Sequence, residues 1–187
     1  MRNIHTICEH IVRDLTLYHG RLDQQHSLYC VDCQYPAAVA MAVEARLARA
    51  TPVAVHVLHL DWSSPCTVFS SLIAALGHDE TASTDQGVCA LVRRARAVIW
   101  SLRSQRAVYL LPVSSEALRS DMVACFGVLR ALLAASNQGW IVFAPTALTQ
   151  LGLGGAGSLF CDVFRVRAME AVAGKRSRRG ARAWASC

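Results

Sequence analysis

At 187 residues the chain has the length of one domain and leaves little room for a second, because single cores commonly organise about 100 to 200 residues. Apolar residues make up 53% and charged residues only 17%, which excludes the polar, highly charged composition of a disordered protein. The formal charge of +6 is concentrated in KRSRRGARAWASC, where Lys175, Arg176, Arg178, Arg179 and Arg182 meet no acid, so the rest of the chain carries about +1.

Ile4, Ile7, Ile11, Leu15 and Tyr18 recur at spacings of three and four, the stripe of an amphipathic helix that Gly20 would stop. HSLYCVDC (26–33) follows as a short strand. Pro36 then suits the first position of a helix over PAAVAMAVEARLARA, rich in alanine, leucine, glutamate and arginine, and Pro52 ends it. VAVHVLHL (53–60) is nearly continuously apolar and β-branched, which predicts a strand covered on both faces in a parallel sheet.

Ser64 and Pro65 form a cap and first-turn pair before a helix carrying Val68, Phe69, Leu72, Ile73 and Leu76, with Gly77 closing it. HDETASTDQG (78–87) is polar enough to be an exposed loop. A helix from Val88 to Arg103 directs Leu91, Val92, Ala95, Ile99 and Leu102 inward, and AVYLLPV (107–113) is a third, buried strand. Met122 to Ala135 forms a further helix, and WIVFA (140–144) a fourth strand after a turn at Asn137 and Gly139. The segment 159–172 suits helix and strand equally.

This order predicts an α/β fold, a three-layer parallel sheet joined by crossover helices, over residues 1–173, with a basic tail over 174–187. No run of about 18 apolar residues is present, and Glu9, His10, Arg13 and Asp14 stand where a signal peptide would be apolar. The expected location is the cytoplasm. There the eight cysteines read as buried or free thiols, with Cys89, Cys125 and Cys161 in apolar surroundings.

In a P-loop domain the first strand runs into a glycine-rich loop whose N–H groups cradle phosphates and whose lysine reaches the outer oxygens. Here that place reads VDCQYPAA, with no glycine, no Ser or Thr for magnesium and no lysine. The one lysine of the chain is Lys175, in the tail. The third strand should end in acids that hold Mg²⁺, yet it ends in Pro112 and Val113, with Glu116 three residues later.

Gly152, Gly154 and Gly157 satisfy GxGxxG, but after the last strand and not the first, so they read as a loop. Cys30 and Cys33 form a CxxC, open to redox exchange or half of a zinc site, with His5, Cys8 and His10 as the candidate complement. His56 and His59, with Asp61 just beyond, could serve a hydroxyl nucleophile or be core or edge histidines. The tail cations suit phosphate contacts, and Trp184 could stack on a base. Arg93, Arg94, Arg96, Arg103 and Arg106 form a second basic concentration.

The passage TPVAVHVLHLDWSSPCTVFSSLIAALGHDE resembles the region after the P-loop helix in transposon-encoded AAA+ ATPases of the TniB type, where a strand leads through a proline turn to a helix ending in Leu-Gly, here Leu76 and Gly77. LRALLAASNQGWIVFAPTAL, from Leu129 to Leu148, is similar to their later helix, short strand and small-residue turn. The resemblance implies a P-loop NTPase-like (AAA+/RecA-like) domain whose relatives are ATP-dependent, DNA-bound oligomers. It also puts Thr146 near a sensor position and Arg165 or Arg167 near a subunit-bridging one. ARAVIWSLRSQRAVYLLPVSSEALRSDMVACFGVLRALLAASNQGWIVFAP also resembles RecA-like domains that have lost the P-loop, such as the cell-division inhibitors of the SOS response.

With both ATP motifs missing, the expectation is a non-catalytic accessory protein without cofactor, binding a partner ATPase, recombinase or filament, and DNA through Lys175, Arg176, Arg178, Arg179 and Arg182. The alternatives are a protein-only inhibitor or adaptor docking on a polymerising partner, and a small metal- or thiol-dependent enzyme.

Overall fold

The computed structural model describes residues 9, 28–50, 53–77, 87–102, 105, 107–117, 119–136, 138–145 and 167–168. Five parallel strands, β1 (Leu28–Asp32), β2 (Ala54–Val57), β3 (Ala107–Pro112), β4 (Gly139–Ala144) and β5 (Arg167–Ala168), lie in the order β2-β3-β4-β1-β5. Between them run α1 (Pro36–Ala50), α2 (Pro65–Ala75), α3 (Val88–Ser101) and α4 (Val123–Ala134). Two short 3-10 turns, Ser115–Ala117 and Ser120–Met122, precede α4.

The period of two along the central strands divides the core into two layers. Val108 and Leu110 of β3, with Ile141 and Phe143 of β4, pack against Val39, Ala40, Val43 and Leu47 of α1. Their neighbours Tyr109, Leu111, Trp140 and Val142 pack on the opposite side against α2, α3 and α4. β3 is buried at all six positions, as a strand covered on both faces must be. The sheet is therefore a middle layer between helices, as the element order predicts.

The helix boundaries follow local chemistry. Ser64 is the N-cap of α2, its Oγ accepting from Thr67 N at 3.1 Å while Thr67 Oγ1 accepts from Ser64 N at 2.9 Å. This reciprocal box satisfies two donors that a helix start otherwise leaves open, and such a cap contributes about 1 kcal/mol. Gly77 closes the helix at φ 84°, a left-handed conformation that a Cβ disfavours.

Two expectations are corrected. The run 53–60 is strand only over Ala54–Val57, at an edge of the sheet, and its burial alternates between exposed and half-buried. His56 and His59 are accordingly exposed. Among the described residues β2 pairs with β3 alone, and Val55 and Val57 pack towards α1 while Ala54 and His56, on the other face, stay exposed. Cys89, expected in apolar surroundings, lies exposed on the outer face of α3, whereas Cys125 is buried.

The segment 159–172, ambiguous in sequence, contributes Arg167 and Ala168 as β5, paired with Val31 and Asp32 of β1. The helix over 4–18, the loop over 78–86 and Cys161 fall outside the described residues apart from Glu9, which sits 3.9 Å from Arg46. Among the described residues no helix is long and apolar enough to cross a membrane.

Candidate functional site

In an open parallel sheet, ligands bind beyond the carboxyl ends of the strands, where successive connections diverge. Here that place is the end of β1, which lies between β4 and β5 while the chain crosses by α1 to the far edge. Three residues, Cys33, Gln34 and Tyr35, join β1 to α1. Cys33 N still bonds to Ala144 O at 3.0 Å, which extends the ladder, and Val39 N already bonds to Tyr35 O at 3.0 Å, the first turn of helix. Pro36 at the first helical position has no N–H to offer a phosphate.

A loop that wraps a phosphate needs about six residues before its lysine, several of them glycine. The turn at 33–35 has half that length and buries the Cys33 side chain. Strand and helix meet too directly for a cradle of N–H groups to form between them.

At the end of β3 the structure places an indole. Trp62, from the connection between β2 and α2, is 2% exposed and stacks on Phe126 of α4 with ring centroids 5.6 Å apart. Its Nε1 donates to Pro112 O at 3.3 Å. Leu58 N donates to Leu110 O, and Val113 N donates to Phe143 O, so backbone alternation turns the nitrogen and oxygen of Pro112 towards the β2 side. β2 has ended there, which is why a proline fits a central strand and why its carbonyl takes a side-chain donor instead of a strand.

Arg119 secures the same junction from outside. Its Nη1 donates to Ser63 O at 2.8 Å, and its Nε and Nη2 form a fork on the Asp121 carboxylate at 3.1 and 2.5 Å. Asp61 Oδ1 accepts from Ser63 N at 2.9 Å, and bonds from the Ser63 side chain and then its backbone hold the Asp61 carboxyl below the usual range. Ser63 and Thr67 hydroxyls lie 3.0 Å apart, and Thr67 Oγ1 reaches Asp61 O and Ser64 O. These groups are engaged in shaping the turn and capping α2. Glu116 is exposed beyond β3, its N–H turned back to Ser114 Oγ at 3.2 Å.

His56, Tyr109 and Trp140 occupy matching positions on β2, β3 and β4, and their rings stack in sequence at 5.5 and 4.6 Å. His56 is thus the exposed end of an aromatic ladder. Burial pushes the Tyr109 hydroxyl up. His59 lies beyond the strand, exposed, and no hydroxyl converges on either ring among the described contacts.

Cys33 is buried in the turn; Cys30 lies within β1, so the CxxC does not start a helix. His5, Cys8 and His10 lie outside the described residues, and among the described ones no three His, Cys, Asp or Glu side chains come together. Gly152, Gly154, Gly157, Thr146, Arg165 and Trp184 also lie outside them. So do the expected nucleic-acid contacts Lys175, Arg176, Arg178, Arg179 and Arg182. Arg167 is placed only as a residue of β5, paired with Val31.

Of the second basic concentration, Arg93 and Arg96 are exposed on α3 and Arg94 is half-buried, while Arg103 and Arg106 are outside the described residues. Sequence reasoning passed over Trp62 and Arg119, which fasten two connections together. A tryptophan directly before a Ser-Ser-Pro cap is the signal that could have shown the first. No protein-family model matches the chain, and no curated protein sequence matches it.

Proposed function

We propose that the chain is a non-catalytic accessory protein built on an AAA+/RecA-like frame, working by binding a partner ATPase or recombinase and, through its basic tail, DNA. The observation that carries this reading is the three-residue turn from β1 into α1, where an ATPase of this frame would hold its phosphates. The strand order is compatible with the frame: β4 lies between β1 and β3, and not between β1 and β5 as in the 3-2-1-4-5-6 dinucleotide-binding order.

The packing of Trp62 on Pro112 and Phe126 supports the loss of function at the second motif, since it fills the end of β3 with an apolar ring. Tyr35 and Met41, 62% and 58% exposed, favour a protein partner: Tyr35 stands in the turn just before α1 and Met41 on α1, where Ala37, Ala38, Ala45 and Ala48 are exposed as well, with Arg49 the one exposed charge. Apolar surface of this kind marks contact sites in soluble proteins. The same observation suits an adaptor that docks on a polymerising partner without touching DNA.

Titration calorimetry with ATP and Mg²⁺ tests the central point. No heat of binding is expected at millimolar nucleotide, and micromolar affinity would overturn the reading. Replacing Tyr35 and Met41 by glutamate and comparing the proteins captured by each form separates the partner-binding face from the basic tail.

A further inference from the structure

We propose that the outward face of α3 binds single-stranded nucleic acid, with Arg93 and Arg96 on phosphates and Trp100 stacked on a base. This goes beyond the accessory role, which draws nucleic-acid contact from the tail, and it does not depend on the missing ATP site.

The geometry begins with the helix period. Leu91, Ala95, Val98 and Ile99 bury one side of α3 against the core. At 3.6 residues per turn, Arg93, Arg96 and Trp100 fall within about 60° of one another on the opposite side. All three are exposed there, Trp100 at 51%. The rise from Arg93 to Trp100 is about 10 Å, enough to run beside roughly three nucleotides of a strand stacked at ~3.4 Å.

Charge points the same way. None of the 14 residues of α3 is acidic, and none of the 11 in α2, which packs beside it, is acidic either. The cations are arginines, whose planar forks grip phosphate oxygens in pairs. Trp100 keeps about half of its surface in water on the helix face that carries Arg93 and Arg96, and this exposed part offers a base a stacking surface next to a phosphate track, the arrangement by which proteins hold unpaired strands. A duplex keeps its bases stacked on each other and leaves such a ring nothing to cover, so the occupant is single-stranded.

Fluorescence anisotropy of the full chain with a 20-nucleotide dT strand, an rU strand and a duplex of equal length tests this. Both single strands should bind more tightly than the duplex. Arg93→Ala with Arg96→Ala should weaken binding at least tenfold and lower the slope of log affinity against log salt by roughly 1.4, two phosphates at about 0.7 each. Trp100→Ala should weaken it about tenfold with the slope unchanged, and Trp100→Phe should recover most of the loss. A fold defect would not divide affinity from salt slope in this way, and the melting temperature of each variant checks it directly.

A companion protein with Lys175, Arg176, Arg178, Arg179 and Arg182 changed to alanine should keep the dependence on Trp100. The proposal is overturned if no strand binds, if the duplex binds best, or if the α3 variants bind like the parent. It is also overturned if polyglutamate competes as well as dT, which would make an acidic protein the occupant. ATP binding, by contrast, would sink the accessory reading and leave these outcomes as they stand.

Discussion

Trp62 Nε1 donates to the carbonyl oxygen of Pro112, 50 residues further along the chain, and closes the gap left where β2 stops pairing with β3. The bond is buried, and the ring that makes it packs on Phe126. Trp62→Phe should keep most of the packing and cost about 1 kcal/mol for the lost donor. Trp62→Ala should cost about 3 to 5 kcal/mol through the cavity it leaves. Urea unfolding of both variants measures the difference; an alanine variant within about 1 kcal/mol of the parent would show that the junction does not depend on the indole.

Gln138 ties three chain ends together. Its Nε2 donates to the carbonyl oxygens of Leu102 and Gln105, the latter at 2.7 Å, and its Oε1 accepts from Ala107 N at 3.3 Å. The side chain is buried, so Gln138→Leu takes one bond from each of its partners, of which Leu102 O keeps the bond from Gln105 N at 2.9 Å, and should cost about 2 to 3 kcal/mol. Hydrogen exchange should quicken first at Ala107, where β3 begins. Uniform quickening along all strands would point to global destabilisation instead.

Thiol chemistry should follow burial. Cys89 is exposed on α3 and Cys125 is buried in the core, where loss of water and, secondarily, the nearby Cys66 push its thiol up to about 11. Alkylation at pH 8 with peptide mapping should label Cys89 within the native protein and reach Cys125 only on unfolding. Equal labelling of the two would contradict the packing of α4. Because the folded thiol holds its proton more tightly than the unfolded one, its contribution to stability is present below about pH 9. It is lost as pH rises from there through about 11.

The end of α2 gives a local test. Gly77 sits at φ 84° with nothing within 4 Å of where a Cβ would stand, so Gly77→Ala probes backbone conformation without a steric clash. The expected cost is about 1 kcal/mol, read as a fall in the melting temperature. A neutral outcome would mean that the helix ends in another conformation.

The α2 cap, the proline at the start of α1 and the buried β3 were legible in the sequence because each depends on residues adjacent along the chain. Burial of β2 was misread because VAVHVLHL carries the same apolar run at an edge as at a centre. Only the strand order decides which, and periodicity carries no information about neighbours. The absence of lysine and glycine from VDCQYPAA was visible along the sequence, whereas the shortness of the turn at Cys33–Tyr35 required knowing where β1 ends and α1 begins. Trp62 and Gln138 escaped notice for a related reason: their partners lie 50 and 31 to 36 residues away.

The turn between β1 and α1 also bears on history. Substitution can change which side chains stand at 33–35, but it cannot lengthen the path between a strand already hydrogen-bonded at Cys33 and a helix already wound at Tyr35. Building a phosphate-wrapping loop here would take an insertion of about three residues together with glycines and a lysine. A single nucleotide substitution cannot supply that insertion, so a phosphate-wrapping loop at this turn lies more than one mutational step from this sequence.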